Sequence, residues 1–187
     1  ERKMGIYTLK ICGIERELQK IEVAPGLVIA SFVMLGDTEL IEKCADELYE
    51  KMKKTGKTFD LLVCPEAKGI PLTHALAVRL GVRYVVARKS VKSYMQHPII
   101  SEVKSITTSG KQIIVIDELD AARLDGKNVA VVDDVVSTGG SLHSLEQVLS
   151  KTKCKVVCKV AALLEEGGYK CDDLLYIEKL PVFKTVE

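Results

Sequence analysis

Two adjacent carboxylates, Asp133 and Asp134, stand directly before the run Val135-Val136-Ser137-Thr138-Gly139-Gly140-Ser141. Carboxylates in this setting suit sugar hydroxyls, a hard cation, or both. The run that follows offers small residues, hydroxyls and free backbone N–H groups where a helical pattern begins, which suits a phosphate. Four apolar residues, 129–132, precede the acid pair and read as a buried strand ending at the carboxylates. Ligands of open α/β sheets bind in the crevice beyond the carboxyl ends of the strands. The stretch alone therefore predicts a site for a phosphorylated sugar.

Two further loops must share that edge. Residues 60–64 read as a strand, followed by Pro65-Glu66-Ala67-Lys68-Gly69 and a helix over 70–80 closed by Gly81. Residues 84–87 read as the next strand, with Arg88-Lys89-Ser90-Val91-Lys92 just past it. Strand, helix and strand in this order form a βαβ unit, which places both loops on the edge that carries the acid pair. Lys68, Arg88, Lys89 and Lys92 bring cations there, so a second polyanion is expected opposite the phosphate loop.

The remaining elements frame this edge. Residues 7–11, 18–23 and 27–30 read as strands, the middle one broken off by Pro25-Gly26. Asp37 can cap a helix starting at Thr38, whose apolar face is Leu40, Ile41, Cys44, Ala45, Leu48 and Met52 and which Gly56 stops. Residues 101–107 and 112–116 read as a hairpin across Thr108-Ser109-Gly110-Lys111. After the acid pair come a helix over 139–149, a strand over 156–164 and a last strand over 174–180. The expected class is α/β, one domain over 1–187, with no repeat and no linker.

Composition narrows the partners. The 27 basic and 26 acidic residues leave a net charge of +1, which gives no reason to expect a nucleic-acid surface. Apolar runs are strand-length, far short of a membrane span, and the first residues lead into no signal-peptide core, so a cytoplasmic location is expected. The six cysteines (Cys12, Cys44, Cys64, Cys154, Cys158 and Cys171) are expected to be ordinary reduced thiols, since a chain with 47% hydrophobic residues needs no staples. Cys154 and Cys158 are predicted to share one strand face. A receiver domain would need a distant third carboxylate and a lysine, and the dinucleotide and P-loop glycine motifs are missing.

Residues 129–141 closely resemble the phosphoribosyl-pyrophosphate (PRPP) signature of type I phosphoribosyltransferases. Glu66-Ala67-Lys68-Gly69 looks like the pyrophosphate loop of that family, and Arg88-Lys89-Ser90-Val91-Lys92 resembles the Arg-Lys-x-x-Lys stretch of its adenine branch. The run on to Gly69-Ile70-Pro71-Leu72 is also similar to the archaeal hypoxanthine/guanine branch. The resemblance implies the type I phosphoribosyltransferase fold: a Rossmann-like open parallel sheet flanked by helices, over a core of residues 37–164. It further implies a small hood from 1–35 and 165–187 and a flexible β-hairpin lid over 90–111.

The resemblance also implies the chemistry. A purine base displaces pyrophosphate from PRPP with Mg²⁺ present, in nucleotide salvage, and the enzyme is a homodimer. By analogy Asp133 and Asp134 are catalytic and accept the ribose hydroxyls, with Mg²⁺ held mainly by PRPP and water and possibly touching the pair. Val135, Val136, Ser137, Thr138, Gly139, Gly140 and Ser141 hold the 5-phosphate. Glu66, Ala67, Lys68, Gly69, Arg88, Lys89 and Lys92 serve the pyrophosphate. Phe32 and Val33 from the hood, with Glu165 and Glu166, are the implied contacts to the base. Where adenine enzymes carry Leu-Pro-Gly and then Glu-Tyr in the lid, this chain reads Ser93-Tyr94-Met95-Gln96-His97-Pro98, which makes Tyr94, His97 and Glu102 the lid candidates. The alternative is a non-catalytic sensor of PRPP or nucleotide on the same fold.

Overall fold

The computed structural model describes residues 2–103, 112–170 and 172–184. The chain opens with β1 (Arg2–Ile11), β2 (Ile14–Ala24) and β3 (Leu27–Ala30), paired antiparallel in that order. β3 keeps the expected bounds, while β1 and β2 extend beyond the alternating segments because their backbones pair from Arg2↔Glu22 to Ile11↔Ile14. Helix α1 (Thr38–Lys54) follows, with all six predicted residues on its buried side. Asp37 caps it by accepting the Leu40 N–H at 3.1 Å. Arg16 of β2 donates through Nε to Asp37 at 2.7 Å and through Nη2 to Glu39 at 2.9 Å, tying the first sheet to the helix start.

Next come β4 (Leu61–Pro65), α2 (Ile70–Leu80) and β5 (Arg83–Ala87). Gly81 ends α2 in the left-handed conformation, φ 68°, where an L side chain is disfavoured. β6 (Ile99–Val103) and β7 (Gln112–Ile116) pair antiparallel. Residues 104–107 of the predicted hairpin and its turn, 108–111, lie outside the described residues. Helix α3 (Glu118–Leu124) was not expected. It has seven residues and buries only Leu124, too little for a periodic signal, although Asp117 caps it by accepting the Glu118 N–H at 2.9 Å. β8 (Asn128–Val136), α4 (Gly140–Leu149) and β9 (Lys155–Glu165) complete the core. The predicted last strand is two short ones, β10 (Leu174–Leu175) and β11 (Glu178–Leu180), both parallel to β9. A final β12 (Val182–Lys184) joins β3 in the first sheet.

The central sheet is parallel in the order β10-β9-β8-β4-β5, with β11 also on β9. Its strands alternate between two apolar layers. Leu62, Ala130 and Val132 pack with α1, α2 and the first sheet, while Leu61, Val63, Val129 and Val131 pack with α4 and Leu124. The first sheet thus shares its core with the central one through Leu9, Ile11, Leu18 and Ala30, joined by Phe32 just past β3.

Two sequence expectations need correction. The strand does not end at the acid pair: β8 runs on to Val136, because Asp133, Val135 and Val136 pair with Ala161, Leu163 and Leu164 of β9. Cys154 and Cys158 do not share a face. A bulge opposite Val129 and Ala130 inserts Val157, so Cys158 joins the α1 layer while Cys154 packs in the α4 layer. The five described cysteines are free thiols, and Cys171 lies outside the described residues. Burial pushes the Cys44 and Cys64 thiols up to about 11, away from reactive thiolate. Among the described residues no helix is long and apolar enough to cross a membrane.

Asp37 closes α1 and receives Arg16 at once. Asp37→Ala is expected to lower unfolding stability by about 1–2 kcal/mol, mostly from the lost cap, since a half-exposed ion pair adds little. Urea denaturation checks it, with Arg16→Met as the comparison that keeps the cap.

Candidate active site

The site begins with two strands that separate. β4 and β8 pair from Leu61↔Val129 to Val63↔Val131 and no further, yet β4 continues to Pro65 and β8 to Val136. From β4 the chain crosses by α2 on one face of the sheet, and from β8 by α4 on the other. Loops leaving neighbouring strands in opposite directions open a crevice between them, the topological switch point of an open sheet. A cavity of about 1060 Å³ fills that crevice.

Its lining joins the predicted loops. Pro65, Glu66, Ala67 and Lys68 come from the end of β4, Lys89 from the end of β5, and Asp133 through Ser141 from β8 and the start of α4. Gly69 sits behind this wall, starting α2. A Cβ there would lie 3.3 Å from both the Cα and Oδ1 of Asp133, so the bare backbone lets the first loop approach the acid pair. The Glu66–Ala67 peptide is cis. Gly139 takes φ 84° at the N-cap of α4, turning the 137–140 backbone into the helix start.

The acid pair is buried, each residue 7% exposed. Asp133 accepts the Asp134 N–H at 2.9 Å, and Asp134 accepts the Val135 N–H at 2.8 Å. Burial first, and then the charge of Asp134, pushes the Asp133 carboxyl up; the Asp134 N–H and Lys89 oppose this. In this poorly hydrated place Asp133 therefore favours its protonated form without a ligand, while the free oxygens of the pair can accept from hydroxyl donors.

The opposite wall is organised by Glu66, whose two oxygens are both engaged. Oε1 accepts the Lys89 N–H at 2.6 Å and Oε2 accepts Arg88 Nε at 2.8 Å. The Lys89 N–H, with the Arg88 guanidinium, holds its carboxyl below the ordinary range. Glu66 thus clamps the β4 loop to the β5 loop, and Arg88 is paired with it instead of lining the cavity. Arg88 also donates to the Tyr94 hydroxyl at 3.2 Å and bridges by backbone to Val115 of β7. Lys92 donates to Ser90 at 2.6 Å and does not line the cavity either.

The four base-contact candidates do not line the cavity. Phe32 is 6% exposed and its ring belongs to the core under the first sheet, while Val33 faces out at 50%. Glu165 ends β9 half-buried, with its carboxyl raised by burial, and Glu166 is exposed with its N–H donated to Leu180 O at 2.9 Å. Among the lid candidates, His97 pairs with Glu118 at 3.2 Å on the surface, Tyr94 receives Arg88, and Glu102 sits opposite Ile113 in β6. Sequence reasoning missed Gln112, Ile113 and Ile114 of β7, which do line the cavity. It also missed Gly168 and Tyr169, which pack on the 137–139 backbone. The β7 residues read only as strand, and Gly167-Gly168 marks a turn without saying what the turn touches.

Residues 33–179 match the family described as the phosphoribosyl transferase domain. The chain belongs to that family. A hypoxanthine/guanine phosphoribosyltransferase of Methanothermus fervidus is 32% identical over 138 residues, which are 74% of this chain and 68% of the relative. An adenine phosphoribosyltransferase of Thermosipho africanus is 28% identical over 148 residues, 79% of this chain and 82% of the relative. The crystal structure of adenine phosphoribosyltransferase from Thermoanaerobacter pseudethanolicus superposes with a TM-score of 0.70 at 23% identity, covering 87% of this chain and 95% of the other. At that identity it speaks to the fold, and the α/β phosphoribosyltransferase architecture is the one the sequence motifs imply.

Because Asp133 is raised in the folded state, its ionisation costs stability above the unfolded carboxyl range, near pH ~4, and the protonated form carries no such cost. Asp133→Asn is therefore expected to stabilise the ligand-free protein by about 1–2 kcal/mol at neutral pH. The gain should shrink as pH falls toward ~4. Chemical denaturation of both proteins across that range checks it; a gain unchanged at acidic pH would trace to packing and not to charge.

Proposed function

We propose that this phosphoribosyltransferase moves the 5-phosphoribosyl group of PRPP to a purine base, hypoxanthine/guanine or adenine, and releases pyrophosphate. The observation that carries this reading is the single cavity in which the acid pair and the 137–141 loop face Lys68 and Lys89. One ligand with a sugar, a terminal phosphate and a second polyanion spans that arrangement. The relatives' names, a hypoxanthine/guanine and an adenine enzyme, support a purine acceptor.

In this reading the 5-phosphate lies on the backbone N–H groups of residues 137–140 at the N-terminus of α4, with the hydroxyls of Ser137, Thr138 and Ser141 around it. Asp133 and Asp134 accept the ribose hydroxyls. The C1–O bond to pyrophosphate breaks with its electron pair leaving on oxygen, the base nitrogen closes the new C1–N bond, and that nitrogen gives up its proton. Lys68 and Lys89 neutralise the leaving pyrophosphate, and Arg88 joins them when it exchanges Glu66 for the ligand. Glu66 itself holds the two loops together. Of the lid expected over 90–111, residues 104–111 lie outside the described residues; in this reading the irregular stretch 90–98 between β5 and β6 closes over the ligand to keep water from the cationic sugar.

A divalent cation fits the donor set in one way. Among the described residues no group of three or more His, Cys, Asp or Glu side chains forms a cage. Asp133 and Asp134 are hard oxygen donors that would hold Mg²⁺ through ligand hydroxyls and water. Bound there, Mg²⁺ supplies positive charge to the pyrophosphate. A cytoplasmic homodimer belongs to the same reading, supported by the family resemblance.

The test is a panel of PRPP with adenine, hypoxanthine, guanine, xanthine, orotate and uracil, followed by pyrophosphate release. Turnover is expected with hypoxanthine and guanine or with adenine, and not with orotate or uracil. PRPP binding without turnover of any base would leave the sensor in place of the enzyme. The double variant Asp133→Asn/Asp134→Asn is expected to bind PRPP roughly 100-fold more weakly, as the loss of two charge-assisted hydrogen-bond acceptors implies. Unchanged affinity measured by calorimetry would remove the acid pair from the ribose.

A further inference from the structure

We infer that Tyr169 is a positioning residue that sets the peptide between Ser137 and Thr138 for the ligand's terminal phosphate, acting from behind the loop. The inference rests on the proposed assignment of residues 137–141 to the 5-phosphate. The Tyr169 N–H donates to the Ser137 carbonyl at 2.7 Å. That peptide is trans, so its N–H, on Thr138, points to the side opposite the carbonyl. Ser137 and Thr138 line the cavity and Tyr169 does not. The bond therefore turns the Thr138 N–H from the Tyr169 side toward the cavity.

Contact reinforces the bond. The Tyr169 ring lies flush on Gly139: a Cβ at Gly139 would stand 2.3 Å from Cδ2 and 2.9 Å from Cε2. A Cβ at Gly168 would fall 1.9 Å from the Ser137 carbonyl oxygen. Gly168 is bare because two backbones meet there, and Gly139 because the Tyr169 ring covers it. The ring is in turn latched at its far end. Its hydroxyl donates to Asp173 Oδ1 at 2.9 Å, and Lys159 Nζ donates to that hydroxyl at 3.2 Å. Lys159 also pairs with Asp173 at 2.7 Å and with Glu146 at 2.8 Å, its own side chain 14% exposed. Glu146 belongs to α4, the helix that the loop begins, and Lys159 to β9, the strand beside β8. The latch thus ties the loop, the helix after it and the neighbouring strand into one unit.

The experiment compares equilibrium binding of ribose 5-phosphate and of inorganic pyrophosphate by the full chain and its variants. Tyr169→Ala is expected to weaken ribose 5-phosphate roughly tenfold or more while pyrophosphate affinity stays at the parent value. Amide exchange of residues 138–140 should become faster in the same variant. Tyr169→Ala and Tyr169→Phe both keep the backbone donor; Tyr169→Phe also keeps the ring on Gly139 and loses only the latch hydroxyl, so its loss should be no more than about threefold. Asp173→Ala, which removes the acceptor of the Tyr169 hydroxyl without touching the loop, should give a loss of the same size as Tyr169→Phe with pyrophosphate affinity unchanged, and decides the matter if Tyr169→Ala does not fold. Parent-like binding of ribose 5-phosphate by Tyr169→Ala, or equal losses for both ligands, overturns the inference alone. A parent that binds PRPP but not ribose 5-phosphate overturns the phosphate assignment of the loop, and the inference with it.

Discussion

Everything at this site depends on β4 and β8 ceasing to pair after Val63 and Val131. Up to that point hydrogen bonds hold the two strands side by side, as in the rest of the parallel sheet. Beyond it each strand has only its outer neighbour: β5 for β4, through Pro65↔Ala87, and β9 for β8, through Val136↔Leu164. The opening needs no special residue to create it, because it follows from helices α2 and α4 crossing on opposite faces. It does need special residues to remain usable. Gly69 allows α2 to start against Asp133, and the acid pair projects from a strand that is still anchored on one side. Carboxylates held this way keep their position without a ligand, which is what preorganisation requires.

Electrostatics divides the crevice into two halves. One half buries Asp133 beside Asp134 where water is scarce, and burial with the neighbouring carboxylate favours the protonated form of Asp133. The other half holds cations, and its geometry is set by an anion, Glu66, which satisfies the Lys89 N–H and Arg88 in one clamp. Such a clamp keeps two loops of like charge together that would otherwise repel. It also keeps the Arg88 guanidinium out of the cavity.

The sequence was most informative where one local signal decided the outcome. Asp37, Gly81, the apolar face of α1 and the four residues before Asp133 each specify structure within a few positions, and each appears as expected. The start of α4 after the Ser137-Thr138-Gly139 run was legible for the same reason. What escaped depended on pairing between distant segments. The continuation of β8 past its carboxylates is decided by β9, and the separation of Cys154 from Cys158 by one inserted residue, Val157. Phe32 illustrates the limit for site residues. Its type suits a base contact as well as a core, and only its packing beside Leu9 and Leu18 shows that the ring is spent on the core. Ile113 and Ile114 of β7 carry the converse lesson, since apolar strand residues with no chemical mark still line the cavity.

The loop after β8 poses a mechanical problem that its own sequence does not solve. Ser137, Thr138 and Gly139 are small, so they contribute little packing to hold themselves, and a glycine at φ 84° enlarges the conformations open to the chain. Backbone N–H groups bind an anion well only if they already point toward it; otherwise ordering them subtracts from affinity. Side chains large enough to brace the loop from within would fill the cavity that the loop lines. Bracing must therefore come from outside, from another segment with both a backbone donor and bulk. The turn after β9 has both: Gly168 lets the segment approach, and the next residue supplies the N–H to Ser137 and a ring against Gly139. Its own anchor is the buried side of Lys159, whose two carboxylate partners, Glu146 and Asp173, belong to the elements that must be kept in register. Rigidity of the loop is thereby drawn from the sheet, the one part of the molecule stiff enough to lend it.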